Sequence, residues 1–320
     1  MNDFVEQHAD QVTQAAARIR GHVRRTPTLS TDLDPALRMK PECFQVTGSF
    51  KPRGAFNAVL SLVARGERPP GVIAVSSGNH AQALALAASS VGLPALILIP
   101  EDANPAKVAA TRALGAEVIQ DGITFANREQ RLREVMAQRS YVLVHPFDDW
   151  DVIHGQGTAA RELLQDASDL EVVAAPVGGG GLLAGTAIAA KRHRSTLKVV
   201  GVEPEAADDA FQTWRAGSIQ TLAGSPSTLA DGVRTTSVGK RNFEVMFEHG
   251  LVDEIVTVTE EEIGAAVEVA WSRLHLALEP TGGLPLAAYL AGKLARGRVG
   301  LVLSGGNANL QTVSTILSRS

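Results

Sequence analysis

Lys51 is the residue in this sequence whose surroundings best suit nucleophilic chemistry. It stands between Phe50 and Pro52, with a glycine three residues before it and another three residues after it. Because proline is tolerated in the first turn of a helix and glycine permits a bend, we expect a loop that enters a helix over Ala55–Ala64. An apolar neighbourhood lowers the pKa of an amine by desolvation, and a neutral amine attacks carbonyl groups. The alternative interpretation is a solvated lysine at a helix start.

Four polar turns follow the ends of predicted strands, at residues 76–80, 178–181, 203–209 and 304–307. In open parallel sheets, ligands bind at the edge formed by the carboxyl ends of the strands. The turn Gly178–Gly181 consists of four glycines, whose backbone N–H groups can converge on an anion beside the positive end of the next helix. Close packing of a strand against a helix is the alternative, and we expect it to need one or two glycines. This turn therefore predicts a phosphate site.

The four-glycine turn does not fit the two common nucleotide motifs. The dinucleotide pattern G-x-G-x-x-G fails, because leucine occupies its second or third glycine position at Leu182 or Leu183. Glu203 follows the next strand and could bind a ribose, so a nicotinamide-dependent oxidoreductase stays open as an alternative. The P-loop pattern also fails, since no Lys-Ser/Thr pair follows the glycines. A cofactor with one phosphate fits better, and pyridoxal phosphate would use the Lys51 amine for a Schiff base.

The segments that must position these turns alternate between strand and helix. Short apolar runs separated by amphipathic stretches predict strands over 72–75, 95–99, 117–120, 141–144, 172–177, 199–202, 254–258 and 299–303. This alternation indicates right-handed βαβ units, so we predict an α/β fold of two lobes, each an open, mainly parallel sheet flanked by helices. Residues 145–149 interrupt the alternation. They predict a boundary between a small mobile domain, 66–148, and a large cofactor-binding domain, 1–65 and 149–320.

Composition narrows the classes of protein and partner. The chain has 45% hydrophobic residues and a formal net charge of −4, which argues against nucleic acid and anionic membranes as partners. Cys43 is the single cysteine, so no internal disulfide can form, as is typical of a reducing compartment. The N-terminus shows no basic segment followed by an apolar one, and no apolar run is long enough to span a bilayer. We therefore expect a cytoplasmic protein.

Four motifs, in this order, resemble those of the fold-type II pyridoxal-phosphate enzymes, which have a tryptophan synthase β-like fold. They are Ser-Phe-Lys-Pro-Arg-Gly-Ala at 49–55, Ser-Ser-Gly-Asn-His-Ala-Gln-Ala at 76–83, Pro-Val-Gly-Gly-Gly-Gly-Leu at 176–182 and Leu-Ser-Gly-Gly-Asn at 303–307. Within that class the chain is similar to the serine/threonine dehydratases and serine racemase over nearly its whole length. It lacks the C-terminal regulatory extension of biosynthetic threonine deaminases, so feedback control by isoleucine is not expected.

The resemblance implies that Lys51 binds pyridoxal phosphate through a Schiff base and later removes the Cα proton of the substrate. It also implies that the cofactor phosphate binds to Gly178, Gly179, Gly180 and Gly181. Phe50 and Gly232 would lie against the two faces of the pyridine ring. Asn79 would bind the ring hydroxyl, and Ser304 would bind the pyridine nitrogen. Serine is a neutral partner for the ring nitrogen, whereas aminotransferases use aspartate. A ring that withdraws electrons less strongly suits elimination of a β-hydroxyl group.

The same resemblance implies substrate contacts after the first strand of the predicted small domain. The residues that would cap the following helix and bind the substrate carboxylate are Ser76, Ser77, Gly78, Asn79 and His80. Ser77 matches the acid/base that racemases place on the face opposite the lysine. Dehydratases that do not racemise also carry serine there, so racemisation stays open.

Arg128 matches an arginine that faces the substrate side chain in serine racemase and in hydroxyaspartate dehydratases. A surface arginine on a charged helix is the alternative interpretation. Phe147 and Thr235 depart from the animal racemases, which carry asparagine and serine at these positions. Both departures argue against racemase as the main activity.

Glu203, Ala207 and Asp209 resemble the divalent-cation site of these enzymes. Two carboxylates and the Ala207 carbonyl, completed by water, would form an oxygen shell for Mg²⁺, Ca²⁺ or Mn²⁺. The alternative is a solvated acidic helix start, whose charges are stabilised by the helix dipole.

Together these features predict a pyridoxal-phosphate-dependent dehydratase that converts L-threonine or L-serine to a 2-oxo acid and ammonia. Threo-3-hydroxyaspartate dehydratase and serine racemase remain as alternatives within the family. An NAD-dependent oxidoreductase and a non-catalytic pyridoxal-phosphate-binding protein remain as alternatives of other classes. The expected partners are a small amino-acid substrate and, in a homodimer, a second copy of the chain.

Overall fold

Two separate sheets, one of six strands and one of four, form the centre of the structure. This computed structural model describes residues 3–295 and 297–318. The residues outside this description are Met1, Asn2, Arg296, Arg319 and Ser320. The first two belong to the N-terminal segment that was expected not to be a secretory signal. Within the described ranges, no helix has both the length and the apolar character needed to cross a membrane.

Strands and α-helices follow one another along the described chain. The strands are β1 (Leu29–Ser30), β2 (Leu37–Pro41), β3 (Val72–Val75), β4 (Ala95–Leu98), β5 (Glu117–Ile119), β6 (Val142–Leu143), β7 (Val172–Pro176), β8 (Lys198–Pro204), β9 (Glu254–Val258) and β10 (Val299–Leu303). The helices are α1 (Asp3–Arg18), α2 (Lys51–Ala64), α3 (Asn79–Ser90), α4 (Pro105–Ala113), α5 (Arg128–Gln138), α6 (Trp150–Asp166), α7 (Gly181–His193), α8 (Asp209–Ala216), α9 (Lys240–Phe243), α10 (Glu260–Ser272), α11 (Pro280–Leu290) and α12 (Leu310–Leu317).

The strands of both sheets run parallel to their neighbours, apart from the antiparallel pair β1 and β2. The larger sheet has the order β1-β2-β10-β7-β8-β9 and the smaller one β5-β4-β3-β6. Strands β7 and β10 are buried along their whole length and contain mainly valine, leucine and alanine. Such continuous apolar runs are typical of parallel strands that helices cover on both faces. The predicted α/β fold of two mainly parallel sheets flanked by helices is confirmed.

The observed elements differ from the predicted ones at two places near Lys51. The helix predicted from Ala55 begins at Lys51 itself, because Pro52 falls in the first turn, where no intrahelical donor is required. Strands β1 and β2 were not predicted at all. The sequence of β2 alternates apolar residues with Arg38 and Lys40, a pattern typical of a solvated segment, yet the Lys40 side chain is fully buried.

A buried charge cluster of Lys40, Glu42, Arg53 and Glu162 explains how these charges are tolerated in the core. Lys40 Nζ lies 2.7 Å from Glu162 Oε2. The Arg53 guanidinium donates two hydrogen bonds to each carboxylate, at distances of 2.7 to 2.9 Å. Removing one partner would leave a buried charge unpaired, at a cost of about 3–5 kcal/mol. The cluster therefore fixes the first turn of α2, two residues from Lys51.

Helix α2 packs against elements on both sides of the predicted domain boundary. Phe56 and Val59 belong to the same buried apolar cluster as Val72 of β3. Gly54 approaches α6 so closely that a Cβ atom there would lie 2.6 Å from Gln156 Nε2. The helix that begins at Lys51 is therefore held from two directions. The division into a small mobile domain and a large domain remains a prediction.

Candidate active site

A cavity of about 1170 Å³ lies at the carboxyl ends of strands from both sheets. A cavity of this size accommodates a cofactor together with a small substrate. It brings together all the residues predicted for the cofactor and the substrate: Phe50, Lys51, Ser76, Ser77, Gly78, Asn79, His80, Arg128, Gly178, Gly179, Gly180, Gly181, Gly232 and Ser304. The predicted metal ligands are not among its lining residues.

Lys51 is held in this cavity by contacts of its backbone and its amine. The N–H of the preceding residue, Phe50, donates to Ser304 O at 3.0 Å. Lys51 Nζ donates to Pro146 O at 2.8 Å and lies 5.0 Å from the centroid of the Phe50 ring. Burial lowers the pKa of the amine from 10.5 to about 8, although the Glu279 carboxylate opposes this shift. The lowered pKa agrees with the prediction from the sequence.

The turn Gly178–Gly181 connects β7 to α7 and opens toward the cavity. Gly180 has a φ of +98°, a left-handed conformation that favours glycine. No hydrogen bond found among the described residues uses the N–H groups of these four glycines. These donors, at the positive end of a helix, are available to an anion.

Packing also demands glycine in this turn, more than the sequence argument assumed. A Cβ at Gly179 would lie 2.3 Å from the Phe147 ring, and one at Gly181 would lie 2.9 Å from Phe147 O. At Gly180 it would lie 2.9 Å from Asn242 Cβ. The premise that close packing needs only one or two glycines is therefore wrong. The prediction of an anion site rests on the unused N–H groups and their position, not on the number of glycines.

The turn from Ser76 to His80 leads into α3. Gly78 occupies the N-cap position and no side chain caps this helix, so the prediction that this turn provides a capping serine is wrong. Ser76 Oγ instead accepts a hydrogen bond from Gly78 N–H at 3.3 Å. The uncapped first turn of α3 keeps donors for a carboxylate.

His80 lines the cavity, but its ring is engaged elsewhere. His80 Nε2 lies 2.9 Å from Val144 O, and burial together with the nearby Lys51 amine lowers its pKa to about 3. The imidazole is therefore neutral near pH 7. These contacts favour a structural role for His80.

Asn79 and Ser304 differ in how their polar atoms are used. Asn79 Nδ2 donates to Glu279 Oε1 at 2.9 Å, and Asn79 Oδ1 accepts from Asn307 Nδ2 at 2.8 Å. The Ser304 hydroxyl is buried and has no hydrogen-bond partner among the described residues. A buried hydroxyl without a partner is the kind of group that a bound ligand satisfies.

Glu279 is a site residue that the sequence argument missed. The residue is 3% exposed, and burial raises the pKa of its carboxyl group to about 7, with a further contribution from Asp231. The available signal was a carboxylate directly before the Pro-Thr-Gly-Gly start of a predicted helix. An ion pair at the cavity wall was likewise not predicted: Lys107 Nζ lies 2.7 Å from Asp231 Oδ2, and both residues line the cavity.

Arg128 begins α5 and reaches the cavity wall. Its guanidinium carbon lies 3.6 Å from the centroid of the Phe125 ring, and its Nε lies 3.8 Å from Glu129 Oε1. The side chain is 24% exposed, so it is not a fully solvated surface arginine. A guanidinium stacked on an aromatic ring keeps its edge for hydrogen bonds to a planar anion.

Glu203 and Asp209 lie at the end of β8 and the start of α8, and both are fully buried. Glu203 accepts hydrogen bonds from two backbone N–H groups, whereas neither Asp209 oxygen has a partner among the described residues. Burial and the neighbouring carboxylate raise the pKa of Glu203 well above its usual value, and burial raises that of Asp209 to about 7. The alternative of a solvated acidic helix start is therefore wrong.

Burying two neighbouring carboxylates is energetically costly, and a hard divalent cation bound between them would offset that cost. The described part of the chain contains no group of three or more acidic, histidine or cysteine side chains placed to hold a metal. A cation here would need further oxygen ligands from the backbone, such as the Ala207 carbonyl, and from water.

The lowered pKa of Lys51 predicts a distinctive pH dependence of its reactivity. In protein kept free of carbonyl compounds, competitive acetylation read by peptide mass spectrometry should follow a titration with its midpoint near pH 8. At pH 7.5 about a quarter of the amine would be neutral, against about 0.1% for a lysine of ordinary pKa. The exposed Lys240 serves as the reference within the same sample. A Lys51 midpoint above pH 10 would contradict the geometry described here.

Known proteins resemble the chain over nearly its whole length. The family model described as pyridoxal-phosphate dependent enzyme matches residues 19–305. An L-threo-3-hydroxyaspartate ammonia-lyase of Saccharomyces cerevisiae is 42% identical over 314 residues, which cover 96% of this chain and 95% of that protein. A serine racemase of Schizosaccharomyces pombe is 39% identical, with 97% of each chain covered.

One solved structure also resembles the chain over nearly its whole length. A threonine deaminase of T.th. has a TM-score of 0.89 and 47% identity, and the match covers 94% of this chain and 98% of that one. The chain belongs to the pyridoxal-phosphate dependent enzymes, among the fold-type II ammonia-lyases and serine racemases.

Proposed function

We propose that this protein is an ammonia-lyase that converts small β-hydroxy amino acids, L-serine and L-threonine among them, to 2-oxo acids and ammonia. One observation carries the proposal. A single cavity contains the buried Lys51 amine of lowered pKa, the open N–H groups of Gly178–Gly181 and the uncapped helix start at Asn79. These are a base, a phosphate site and a carboxylate site.

The residues around the cavity fit pyridoxal phosphate. The buried hydroxyl of Ser304 lacks a partner and would bond the ring nitrogen, while the N–H groups of Gly178–Gly181 would bind the phosphate. Phe50 and Gly232 would lie at the two ring faces, and Asn79 would donate to the ring hydroxyl. When bound, the cofactor supplies a carbonyl group for amines and an electron sink that acidifies the Cα–H bond.

The side chains of the protein would then divide the work on the substrate. The first turn of α3 would orient the substrate carboxylate, and Lys51 would take the Cα proton. A pKa of about 8 lets the same amine accept a proton near neutral pH and release it again. Loss of this proton and of the β-hydroxyl removes one water. The enamine released would take up water and yield the 2-oxo acid and ammonia.

The names of the relatives support a lyase but differ in substrate. They are a hydroxyaspartate ammonia-lyase, a threonine deaminase and a serine racemase. Family membership removes the NAD-dependent oxidoreductase from the alternatives. Racemisation and a purely binding role are the competing outcomes of the test below. The homodimer and the cytoplasmic location stay predictions.

L-threo-3-hydroxyaspartate is a second candidate substrate, and Arg128 is the observation that favours it. The guanidinium lies at the cavity wall, partly buried on the Phe125 ring and only loosely paired with Glu129. An arginine with its edge free can bind a β-carboxylate with two hydrogen bonds. The methyl group of threonine offers no such contact.

We also propose a binding site for Mg²⁺, Ca²⁺ or Mn²⁺, with Glu203, Asp209 and the Ala207 carbonyl as its protein ligands. The two unpartnered oxygens of Asp209 support this assignment. A divalent cation would offset the repulsion between the two buried carboxylates. Its role would be to stabilise the region between β8 and α8, away from the reacting atoms.

The proposed function predicts ammonia release from a panel of β-hydroxy amino acids. Purified protein with pyridoxal phosphate should release ammonia from L-serine, L-threonine or L-threo-3-hydroxyaspartate, measured alongside enantiomer exchange by chiral chromatography. Lys51→Ala should remove all turnover, whereas the exposed-site control Lys240→Ala should not change it. Enantiomer exchange without ammonia would instead assign a racemase. Cofactor binding with neither activity would indicate a protein that binds pyridoxal phosphate without catalysing a reaction.

The position of Arg128 predicts a selective loss in one variant. Arg128→Ala should lower kcat/KM for L-threo-3-hydroxyaspartate by roughly 30- to 150-fold, because a partly buried two-bond contact contributes about 2–3 kcal/mol. Turnover of serine and threonine should stay within a few-fold. Arg133→Ala, an exposed position on the same helix, is the matched control. Equal losses on all substrates would show that Arg128 is structural.

The unpartnered carboxylates predict a stabilising response to divalent cations. After chelation, adding Mg²⁺ at about 100 times its Kd should stabilise the protein by about 2.7 kcal/mol, or roughly 5 °C in Tm. The double variant Glu203→Gln/Asp209→Asn should lose this response, and Asp208→Asn should keep it. A metal-free protein, verified by elemental analysis, with unchanged Tm on adding Mg²⁺, Ca²⁺ or Mn²⁺ would contradict the assignment.

A further inference from the structure

Glu279 has an unusual combination of position and burial. It is the N-cap residue of α11, yet its carboxylate does not cap that helix. The residue is 3% exposed and lines the cavity. An N-cap glutamate on a surface would normally be solvated, so its burial requires a reason.

The surrounding backbone is shaped to admit this carboxylate. Glu279 N–H donates to Gly305 O at 3.1 Å. A Cβ atom at Gly305 would lie 2.7 Å from Glu279 Oε1, so any larger residue would collide with the carboxylate. The Ser-Gly-Gly-Asn turn after β10 therefore forms one wall of a pocket for Glu279.

Glu279 and Asn307 together determine the orientation of the Asn79 amide. An ionised carboxylate can only accept, so Glu279 Oε1 must face Asn79 Nδ2, at 2.9 Å. Asn307 Nδ2 donates to Asn79 Oδ1 at 2.8 Å and also to Thr47 O. With its oxygen and one N–H engaged, Asn79 has one N–H left for a ligand in the cavity.

Four titratable groups on different elements interact electrostatically with Glu279. Lys51 on α2 and Lys107 on α4 are cationic, Asp231 is anionic, and Cys43 is a thiol. Among the described residues, no ion pair within 4 Å joins Glu279 to either cation: Lys107 pairs with Asp231, and Lys51 Nζ donates to Pro146 O. An ionised Glu279 stabilises the protonated form of the Lys51 amine.

We infer that Glu279 is a positioning residue of the proposed reaction: its carboxylate orients the Asn79 amide toward the cofactor and, from the wall of the same cavity, favours the cationic form of Lys51. This inference rests on the proposed function, which is the reaction that Glu279 would serve. Glu279 would not touch the reacting atoms, and it would act through Asn79 and through its electrostatic effect on Lys51. A group that titrates near neutral pH, as burial makes Glu279 do, can couple both effects to pH.

Two substitutions separate the two roles. Glu279→Gln keeps an oxygen that accepts from Asn79 but removes the charge. Glu279→Met has a similar volume and removes both. Glu129→Gln, which neutralises another carboxylate of the same cavity, is the matched control because Glu129 makes no contact with Asn79.

The first readout uses cofactor-free protein without substrate. The pH midpoint of Lys51 acetylation should fall by about half to one pH unit in Glu279→Gln and Glu279→Met, since a stabilising negative charge is lost. The control should keep the wild-type midpoint. If Glu279 were only structural, its replacement in a folded Glu279→Gln variant would leave the acetylation midpoint of Lys51 unchanged. An unchanged midpoint in that variant therefore overturns the inference.

The second readout is the affinity for pyridoxal phosphate, measured by absorbance titration. Glu279→Gln should bind it within about threefold of the wild type, whereas Glu279→Met should bind it at least tenfold more weakly. Equal affinities in all three proteins overturn the positioning of Asn79. If the Met variant does not fold, the midpoint in the Gln variant alone decides. Neither readout needs turnover, so a wild type that releases no ammonia contradicts the proposed function and not this inference.

Discussion

The structure depends on one constraint, which is that charges buried beneath the first turn of α2 must neutralise one another. Arg53 and Lys40 are fully buried, and Glu42 and Glu162 surround them. Because an unpaired charge at this depth is strongly destabilising, none of the four side chains can move independently. The cluster joins β2, α2 and α6 immediately behind Lys51. The Lys51 amine is thus carried by a turn that buried ion pairs hold in place.

A second constraint is the close approach of backbones around the cavity. Phe147 lies against the glycine turn, and Gly305 lies against Glu279, at distances that exclude a Cβ atom. The same glycines that permit this packing leave N–H groups without side-chain cover. Tight packing and ligand binding therefore make the same demand on these positions. For this reason the number of glycines cannot distinguish the two interpretations, whereas the free donors can.

Much of the fold and site could be predicted because local patterns specify them. The apolar runs of β9 and β10 match the observed strands, and the residues assigned to cofactor and substrate all line one cavity. The misses share a physical cause. Strand β2 was missed because the partner of Lys40 is more than a hundred residues away in the sequence. Glu279 was missed because nothing local reveals that a helix-capping position is buried against Asn79.

The histidines of the cavity have a consequence for stereochemistry. Burial lowers the pKa of His80 to about 3 and that of His145 to about 4, so neither ring is an imidazolium near pH 7. In the proposed reaction Lys51 serves one face of Cα. Neither histidine can deliver a proton to the other face as a cationic acid, which leaves Ser77 or water for that step. The stereochemical outcome of the proposed reaction would therefore depend on the Ser77 hydroxyl and on water, and not on the two imidazoles.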